Sequence, residues 1–340
     1  MDEHWVDIRR SCYAPEDGGI GDFSLVRSDD GWHLFHMYRE FRKRDEHIPI
    51  QASRGINRKM GHAYSPDLLS WETKRPVLEI DPELSHESLM MFAPAVVSSE
   101  KTWHMLYTGV DSRSASLDRD RASAVKTPGG YTDRLQSICI ATSQDIYNWN
   151  RPVKRPVINV RDNKWAQWSF AGNKDCRDPY VIPFEDGFLL YYTTYETAGP
   201  LDRENGMPVI AAAYSEDLYH WDDRGPVLRY RVWDRVNSLW APMESVCVFE
   251  RNDLYYMFWN MYEAGRFCVF WTESRDPLRF NGKINLFGDH FVAFKILPYG
   301  PAYSHFAAFT NEYYGVLRLY RLEWHDTIPR LYVGPPEYDG

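Results

Sequence analysis

The sequence predicts an all-β protein, a five-bladed β-propeller with four-stranded antiparallel blades, formed by residues 1–340 as a single domain. Three observations support this fold class. Aromatic residues make up 16% of the chain, and strands favour them because they pack well on a pleated, half-buried surface. Two short sequence signals recur along the chain, and they alternate in a fixed order. Such internal repetition is typical of folds built from one repeated unit.

The first signal has the form Ser-x-Asp-Leu-x-x-Trp. It occurs at residues 65–71 and 215–221, and with Ile in place of Leu at residues 143–149; a degenerate copy runs from Ser274 to Phe280. An Asp in this position favours a turn, because its carboxylate can accept nearby backbone N–H groups. Each copy is interpreted as the end of a strand, a polar turn and a Trp that packs into the next layer. Both the Asp and the Trp are therefore expected to be structural.

The second signal is a short apolar strand, a polar turn and a strand rich in aromatic residues. Clear copies begin at Phe23, Ala95, Tyr180 and Ser245, and a weaker fifth copy runs from Phe306 to Leu322. The turns use Asp, Asn and Gly, which tolerate the positive φ angles of tight hairpins. A spacing of roughly 60 to 80 residues leaves room for a four-stranded sheet in each copy, and five such sheets make a propeller.

A β-sandwich is the structural alternative, but it does not explain why the two signals alternate. The segment His4–Ser11 alternates apolar and polar residues. We expect it to add a strand to the last blade and so to close the ring.

Charge and composition exclude several kinds of partner. The formal net charge is -9, whereas a nucleic-acid partner demands a basic face. No apolar run is long enough to span a membrane or to form a secretory signal, so a cytoplasmic location is expected. The five cysteines lack CxxC spacing, which argues against a disulfide framework or a zinc site. The expected ligand is an uncharged or weakly charged small molecule.

Three acidic residues precede the first strands of their blades: Asp22 in blade 1, Asp178 in blade 3 and Glu244 in blade 4. In a propeller the innermost strands line one channel, so we expect these carboxyl groups to meet at one end of it. Blade 2 has Pro94 and blade 5 has His305 at what we interpret as the same repeat position.

Acids gathered in this way raise one another's pKa, which suits the cleavage of an acetal. One carboxyl group must be protonated to donate to the leaving oxygen, and another must be ionised to attack or to activate water. Arg177 adjoins Asp178 and can bind sugar or carboxylate oxygens. Trp168 and Trp240 are candidates for stacking on a sugar ring. No cofactor is expected, although His305 could bind an ion in the channel or hold a water molecule.

These residues carry a family resemblance. Arg177-Asp178-Pro179 resembles the Arg-Asp-Pro motif of the five-bladed glycosidases that include invertases and levansucrases, families 32 and 68. Ala241–Ser245 is similar to the general-acid motif shared by these enzymes and by family 43, the arabinofuranosidases and xylosidases. Gly21-Asp22-Phe23 resembles their first-blade motif, and Phe92-Ala93-Pro94 their second-blade Trp-Ala-Pro.

The resemblance implies a glycoside hydrolase acting on an oligosaccharide or small glycoside. Asp22 would be the nucleophile or general base, Glu244 the general acid and Asp178 the stabiliser of the transition state, with Phe92 among the substrate contacts. The Arg-Asp-Pro motif favours a retaining, β-fructofuranosidase-like reaction on a terminal furanoside. Single-domain length favours an inverting reaction like that of an α-L-arabinofuranosidase or β-xylosidase. Gly19–Ser24 departs from the first-blade sequence of invertases, so the alternatives stay open. They include a propeller that binds carbohydrate without cleaving it.

Overall fold

The computed structural model describes residues 12–40, 57–111, 135–167, 175–197, 206–234, 239–263, 266–289, 291–298, 305–311 and 315–331. Within these ranges the chain forms strands, turns and two short 3-10 helices, at Ser85–Glu87 and Val160–Asp162. No helix in the described ranges has the length and apolar character needed to cross a membrane.

Five antiparallel sheets follow one another along the chain and form the blades. Blade 1 contains β2 (Gly18–Arg27), β3 (Trp32–Glu40), β4 (Lys59–Ser65) and β5 (Glu72–Glu79). Blade 2 contains β6 (Met90–Ser99), β7 (Thr102–Val110) and β8 (Gln136–Ser143). Blade 3 contains β9 (Arg177–Phe184), β10 (Gly187–Glu196), β11 (Met207–Ser215) and β12 (Asp222–Leu228).

Blade 4 contains β15 (Met243–Arg251), β16 (Leu254–Glu263), β17 (Arg266–Ser274) and β18 (Asn285–Asp289). Blade 5 contains β19 (Phe291–Pro298), β20 (His305–Asn311), β21 (Leu317–His325) and β22 (Ile328–Leu331), and it is joined by β1 (Cys12–Tyr13). A separate two-stranded ribbon, β13 (Trp233–Asp234) and β14 (Leu239–Trp240), lies between blades 3 and 4 in the sequence.

The innermost strands of the five blades form a closed ring. Strand β2 contacts β6, β6 contacts β9, β9 contacts β15, β15 contacts β19, and β19 returns to β2. The chain start contributes to this closure, because Cys12 and Tyr13 pair with Arg318 and Leu317 of β21. The predicted strand His4–Ser11 lies outside the described residues, but the two residues that follow it do join the last blade.

Five apolar cores fill the five interfaces between neighbouring blades. Strand β10 shows how alternation produces them. Its Leu189 and Tyr191 belong to the core between blades 3 and 4, whereas Leu190 and Tyr192 belong to the core between blades 2 and 3. Because successive side chains of a strand point to opposite faces, a blade with two neighbours needs apolar residues on both. This explains the unbroken apolar and aromatic runs of the second strands.

The Ser-x-Asp turns have the predicted structure. The Asp145 carboxylate accepts the backbone N–H groups of Tyr147 at 3.0 Å and Asn148 at 2.7 Å. Trp149 then packs, 8% exposed, into the core between blades 1 and 2. The turns at Asp67 and Asp217 make the same pairs of hydrogen bonds.

Two blades differ from the four-stranded prediction. Blade 2 has three strands, and two isolated bridges to β8, Ile138 with Ile158 and Thr142 with Asn150, take the place of its fourth. Blade 5 has five strands, and its innermost strand is β19, one strand earlier than the fifth copy placed at Phe306. The misplacement has a local cause: β19 is not followed by an Asp-Gly turn and an aromatic strand, so the sequence signal fitted β20 and β21 instead.

Candidate active site

Every innermost strand carries a β-bulge near its first residues. In each of these strands, two consecutive residues have no paired residue on the neighbouring strand. From blade 1 to blade 5 they are Gly21 and Asp22, Ala93 and Pro94, Asp178 and Pro179, Ser245 and Val246, and Ala293 and Phe294. In four blades the first of these residues has a positive φ, between 42° and 57°. A bulge bends the strand and re-aims its side chains. The repeat therefore gives each blade the same local means of directing a side chain at one end of the ring.

The three predicted acids belong to these bulges, but not at a single repeat position. Glu244 is the residue before the bulge of blade 4, Asp178 the first bulge residue of blade 3 and Asp22 the second bulge residue of blade 1. The prediction that they share one repeat position is therefore wrong. Relative to the position of Asp178, Glu244 lies one residue earlier and Asp22 one residue later. Counting from apolar strand starts cannot detect a bulge, because an inserted residue changes the register without changing the sequence pattern.

Ser245 joins the acids of three blades. Its hydroxyl donates to Asp22 Oδ1 at 2.5 Å, and its backbone N–H donates to Asp178 Oδ2 at 2.9 Å. Glu244 is its neighbour in the chain. The carboxyl groups of residues 22, 178 and 244 therefore converge on one place, as the sequence predicted, although these residues are far apart along the chain.

Arg177 is the central cation of this cluster and is 6% exposed. Its Nη2 donates to Glu244 Oε1 at 3.1 Å, and its Nε lies 3.7 Å from Asp178 Oδ2. Nη1 forms an ion pair with Asp175, which is 2% exposed. Arg177 thus interacts with three carboxylates of the cluster. Its contact with a sugar stays a prediction.

Two carboxyl groups of this cluster have raised pKa values. Burial is the largest cause at Asp178, and the nearby charges of Asp22 and Glu244 add to it, while Arg177 opposes the shift. Burial also raises the pKa of Glu244; Arg177 lowers it and Asp22 raises it. The Glu244 side chain is 28% exposed against 6% for Asp178. Of these two carboxyl groups, Glu244 is therefore the one that a ligand can reach more easily.

Three residues of the cluster were not predicted from the sequence: Asp175, Ser245 and Lys295. Asp175 stands two residues before Arg177, so a search for acids just ahead of the strand that begins there would have found it. Ser245 follows Glu244 directly, but nothing in its type marks it. Lys295 is a lone lysine within an apolar strand and is 7% exposed, and a charged residue in such a run is the sequence signal that marks it.

The remaining predicted residues have different outcomes. Phe92 is 4% exposed and packs with Met37, Met90 and Val110 at the bulge of blade 2, so it supports the inner wall of the ring. Trp168 lies outside the described residues. Trp240 forms a backbone pair with Trp233 in the ribbon, and the structure does not describe its side chain.

His305 does not occupy the position predicted for it. It is the first residue of β20 and pairs with Pro298, at the end of β19 away from the bulge at Ala293. The structure does not describe its side chain. The position equivalent to Pro94 in blade 5 belongs to Phe294, because the innermost strand of that blade begins earlier than the sequence signal suggested. Whether His305 binds an ion in the channel stays untested by this geometry.

Within the described ranges, one group of metal-ligating side chains is close enough to share an ion. It comprises His86, Glu87 and Cys139, whose ligand atoms lie within 4.8 Å of one another. Glu87 is, however, already ion-paired with Arg151 and hydrogen-bonded by Tyr107. These partners neutralise the carboxylate, so the group is better suited to fastening the segment between blades 1 and 2 to blade 2 than to holding a cation.

Comparison with known proteins identifies a family. The model described as "Glycosyl hydrolases family 32 N-terminal domain" matches residues 23–199, more than half of the chain. The matched stretch includes Arg177 and Asp178; Asp22 lies one residue before it and Glu244 after it. No curated protein sequence gives a significant match.

Solved structures share the fold at low sequence identity. A thermostable family-43 glycoside hydrolase is 17% identical, with a TM-score of 0.65 over 95% of this chain and 96% of the other. A family-32 β-fructofuranosidase from Bombyx mori is 16% identical, with the same TM-score over 95% of this chain and 64% of that enzyme. An exo-1,5-α-L-arabinanase from a bovine ruminal metagenomic library is 14% identical, with a TM-score of 0.62 over 94% and 99%.

Proposed function

Because the chain belongs to the glycosyl hydrolases with a family 32 N-terminal domain, we propose that it hydrolyses a terminal furanoside in the manner of a β-fructofuranosidase. The observation that carries this proposal is the convergence of Asp22, Asp178 and Glu244 around Ser245. Glycosidic cleavage requires a protonated and an ionised carboxyl group together. A propeller that merely binds carbohydrate has no need for buried carboxyl groups with raised pKa values.

The residues divide the reaction between them. Glu244 donates a proton to the leaving oxygen; since Arg177 donates to its Oε1, the proton is carried by Oε2. Asp22, held by the Ser245 hydroxyl, attacks the anomeric carbon, and the glycosidic bond breaks as the covalent bond to the carboxylate forms. Water then displaces Asp22, with Glu244 now accepting the proton of that water. Asp178 stabilises the positive charge that develops on the sugar.

One feature favours a second candidate, an inverting arabinofuranosidase- or xylosidase-like reaction in which Asp22 activates water. The first blade carries Gly19–Ser24 in place of the invertase sequence, and Asp22 lies outside the matched residues. The two reactions differ in both substrate and stereochemistry, so one set of measurements separates them.

The test is a substrate panel with sucrose, a short fructan, and the nitrophenyl glycosides of α-L-arabinofuranose and β-D-xylose. We expect the wild type to release fructose, and added methanol to trap methyl β-fructoside, the product of a retaining enzyme. Cleavage of the arabinoside or xyloside alone, with inversion, would establish the second candidate instead. Cleavage of none of them would overturn both.

A matched pair of variants tests the role of Glu244. Glu244→Gln removes the acid, and we expect sucrose hydrolysis to fall by about 10²–10⁴-fold. For any nitrophenyl glycoside that the wild type cleaves, the loss should be much smaller, because nitrophenolate needs little protonation as a leaving group. Glu250→Gln is the control, because Glu250 lies on the same strand and is exposed. Equal losses in the two variants would contradict the assignment.

A further inference from the structure

Lys295 occupies a position that is apolar in the other four blades. It is the residue directly after the bulge of β19, and it is 7% exposed. A buried ammonium group is unfavourable unless nearby groups compensate its charge. The residues at the equivalent position of the other blades are Phe23, Ala95, Tyr180 and Cys247.

The ammonium group of Lys295 binds the backbone of the blade 4 bulge. Nζ donates to Val246 O at 2.9 Å and to Ser245 O at 3.4 Å. It also lies 5.2 Å from the ring centroid of Tyr180. Within the described part of the chain, it forms no ion pair with a carboxylate. Two carbonyl dipoles and an aromatic face therefore hold the charge in place without neutralising it.

The titratable and charged groups that face Lys295 come from three innermost strands. They are Asp22 on β2, Asp178 and Tyr180 on β9, and Cys247 on β15. Burial lowers the pKa of Lys295, and the charges of Cys247, Asp22 and Asp178 oppose that shift. Electrostatic interaction is mutual, so the positive charge of Lys295 also acts on the carboxyl groups of Asp22 and Asp178.

The cluster has a shortage of positive charge that Lys295 relieves. It contains four carboxyl groups, those of Asp175, Glu244, Asp178 and Asp22, and Arg177 interacts with the first three. Asp22, the proposed nucleophile, is the fourth carboxyl group, and its charge interacts with Lys295. A nucleophilic carboxylate must be ionised while its partner acid keeps a proton.

We propose that Lys295 is a positioning residue of this site, which holds the Ser245 bulge in place and supplies the positive charge that offsets Asp22 and Asp178. The geometry gives both roles to one side chain. Lys295 binds the carbonyl of Ser245, while the N–H and hydroxyl groups of Ser245 bind Asp178 and Asp22. The catalytic part of this proposal rests on the proposed function; the electrostatic part does not.

The experiment compares Lys295→Met, which removes the charge, with Lys295→Arg, which keeps it. Asn260→Ala is the matched control. Asn260 pins the same strand to blade 4 without any charge, through hydrogen bonds to Phe291 O at 2.6 Å and from Phe294 N at 3.2 Å. All three variants alter contacts between blades 4 and 5, so they separate charge from simple packing.

The first measurement needs no substrate. Asp carboxyl carbons are titrated by NMR, with the Asp178 signal assigned through Asp178→Asn. We expect Lys295→Met to raise the pKa of Asp178 by on the order of one unit. A shift of this size is typical of the loss of one nearby charge at an intermediate dielectric. Lys295→Arg and Asn260→Ala should leave it unchanged. A titration unchanged in Lys295→Met would overturn the proposal.

The second measurement is kinetic and uses whichever glycoside the wild type hydrolyses. In Lys295→Met we expect kcat to fall about tenfold with little change in KM, and the acidic limb of the pH profile to move to higher pH. The direction follows because losing a cation makes the carboxylates harder to ionise. An unshifted acidic limb would contradict the proposal. A wild type without activity would count against the proposed function alone, since the titration would still report on Lys295.

A double variant covers the case in which Lys295→Met does not fold. Adding Asp22→Asn removes the negative charge that Lys295 offsets, so we expect the double variant to fold and to show a cooperative thermal unfolding transition that Lys295→Met lacks. If the double variant stayed unfolded while Asp22→Asn alone folded, charge compensation would not be the role of Lys295.

Discussion

The Ser245 hydroxyl offers the sharpest test of how the bulge orients the acids. Ser245→Ala removes the hydrogen bond to Asp22 Oδ1 but keeps the backbone N–H that binds Asp178. Ala and Ser are equally unfavourable at the φ of 54° found there. Backbone strain therefore does not change, and the variant isolates a single hydrogen bond.

The expected magnitude follows from the kind of bond that is lost. Hydrogen bonds to charged groups contribute about 1.5–3 kcal/mol, and each 1.4 kcal/mol is about tenfold in rate or equilibrium. If this bond orients Asp22 for attack, kcat/KM falls by about 10- to 100-fold. Ser245 is 4% exposed, so some loss of stability is also expected, on the order of 1 kcal/mol.

The assay is steady-state hydrolysis at saturating and limiting substrate, together with thermal unfolding of the same preparations. Ser24→Ala is the control. Ser24 lies on the same innermost strand as Asp22, and its hydroxyl accepts the Val96 N–H at 3.0 Å, so it joins two blades without touching a carboxyl group. A kcat/KM for Ser245→Ala within twofold of the Ser24→Ala value would refute the orienting role.

Three further predictions concern stability. Asp178→Asn should raise the melting temperature at pH 8 but not at pH 4. Because the pKa of Asp178 is raised in the folded protein, the stability that its protonated form contributes is present at low pH. That stability is lost as the pH rises through the folded pKa. An equal effect at both pH values would contradict this. Gly61→Ala should lower the free energy of unfolding by about 1–3 kcal/mol, because the added Cβ would stand 2.3 Å from the His36 ring. Denaturant unfolding checks this, and an unchanged midpoint would show that the ring moves aside. Asp145→Ala should cost about 1–2 kcal/mol through two lost turn hydrogen bonds and leave activity unaltered; a loss of activity in calorimetrically folded protein would count against a purely structural turn.

Much of the fold can be predicted from the sequence because its signals are local. The Ser-x-Asp turn at residues 143–149 forms from hydrogen bonds between residues two and three apart. The aromatic second strands are apolar on both faces because every blade has two neighbours. Blade 5 shows where this reasoning fails. Its first hairpin lacks the usual turn and aromatic strand, and only the pairing of β19 with β20 reveals it.

The identity of the acids was likewise available from the sequence, whereas their arrangement was not. Asp22, Asp178 and Glu244 stand near apolar strand starts, but their side chains meet because bulges offset them by one residue from blade to blade. Ala, Asp and Ser all adopt the positive φ of these bulges, so residue type does not reveal the backbone conformation.

The sequence by itself determined that blades repeat and which acids the innermost strands carry, since both depend on residues close together in the chain. Only the tertiary structure decided that Lys295 and Ser245 serve those acids. Lys295 lies 49 residues from the carbonyl that it binds at 2.9 Å, and closure of the ring brings the two together. Contacts of this kind depend on the distance between blades and on the direction of each bulge, and neither leaves a pattern along the chain.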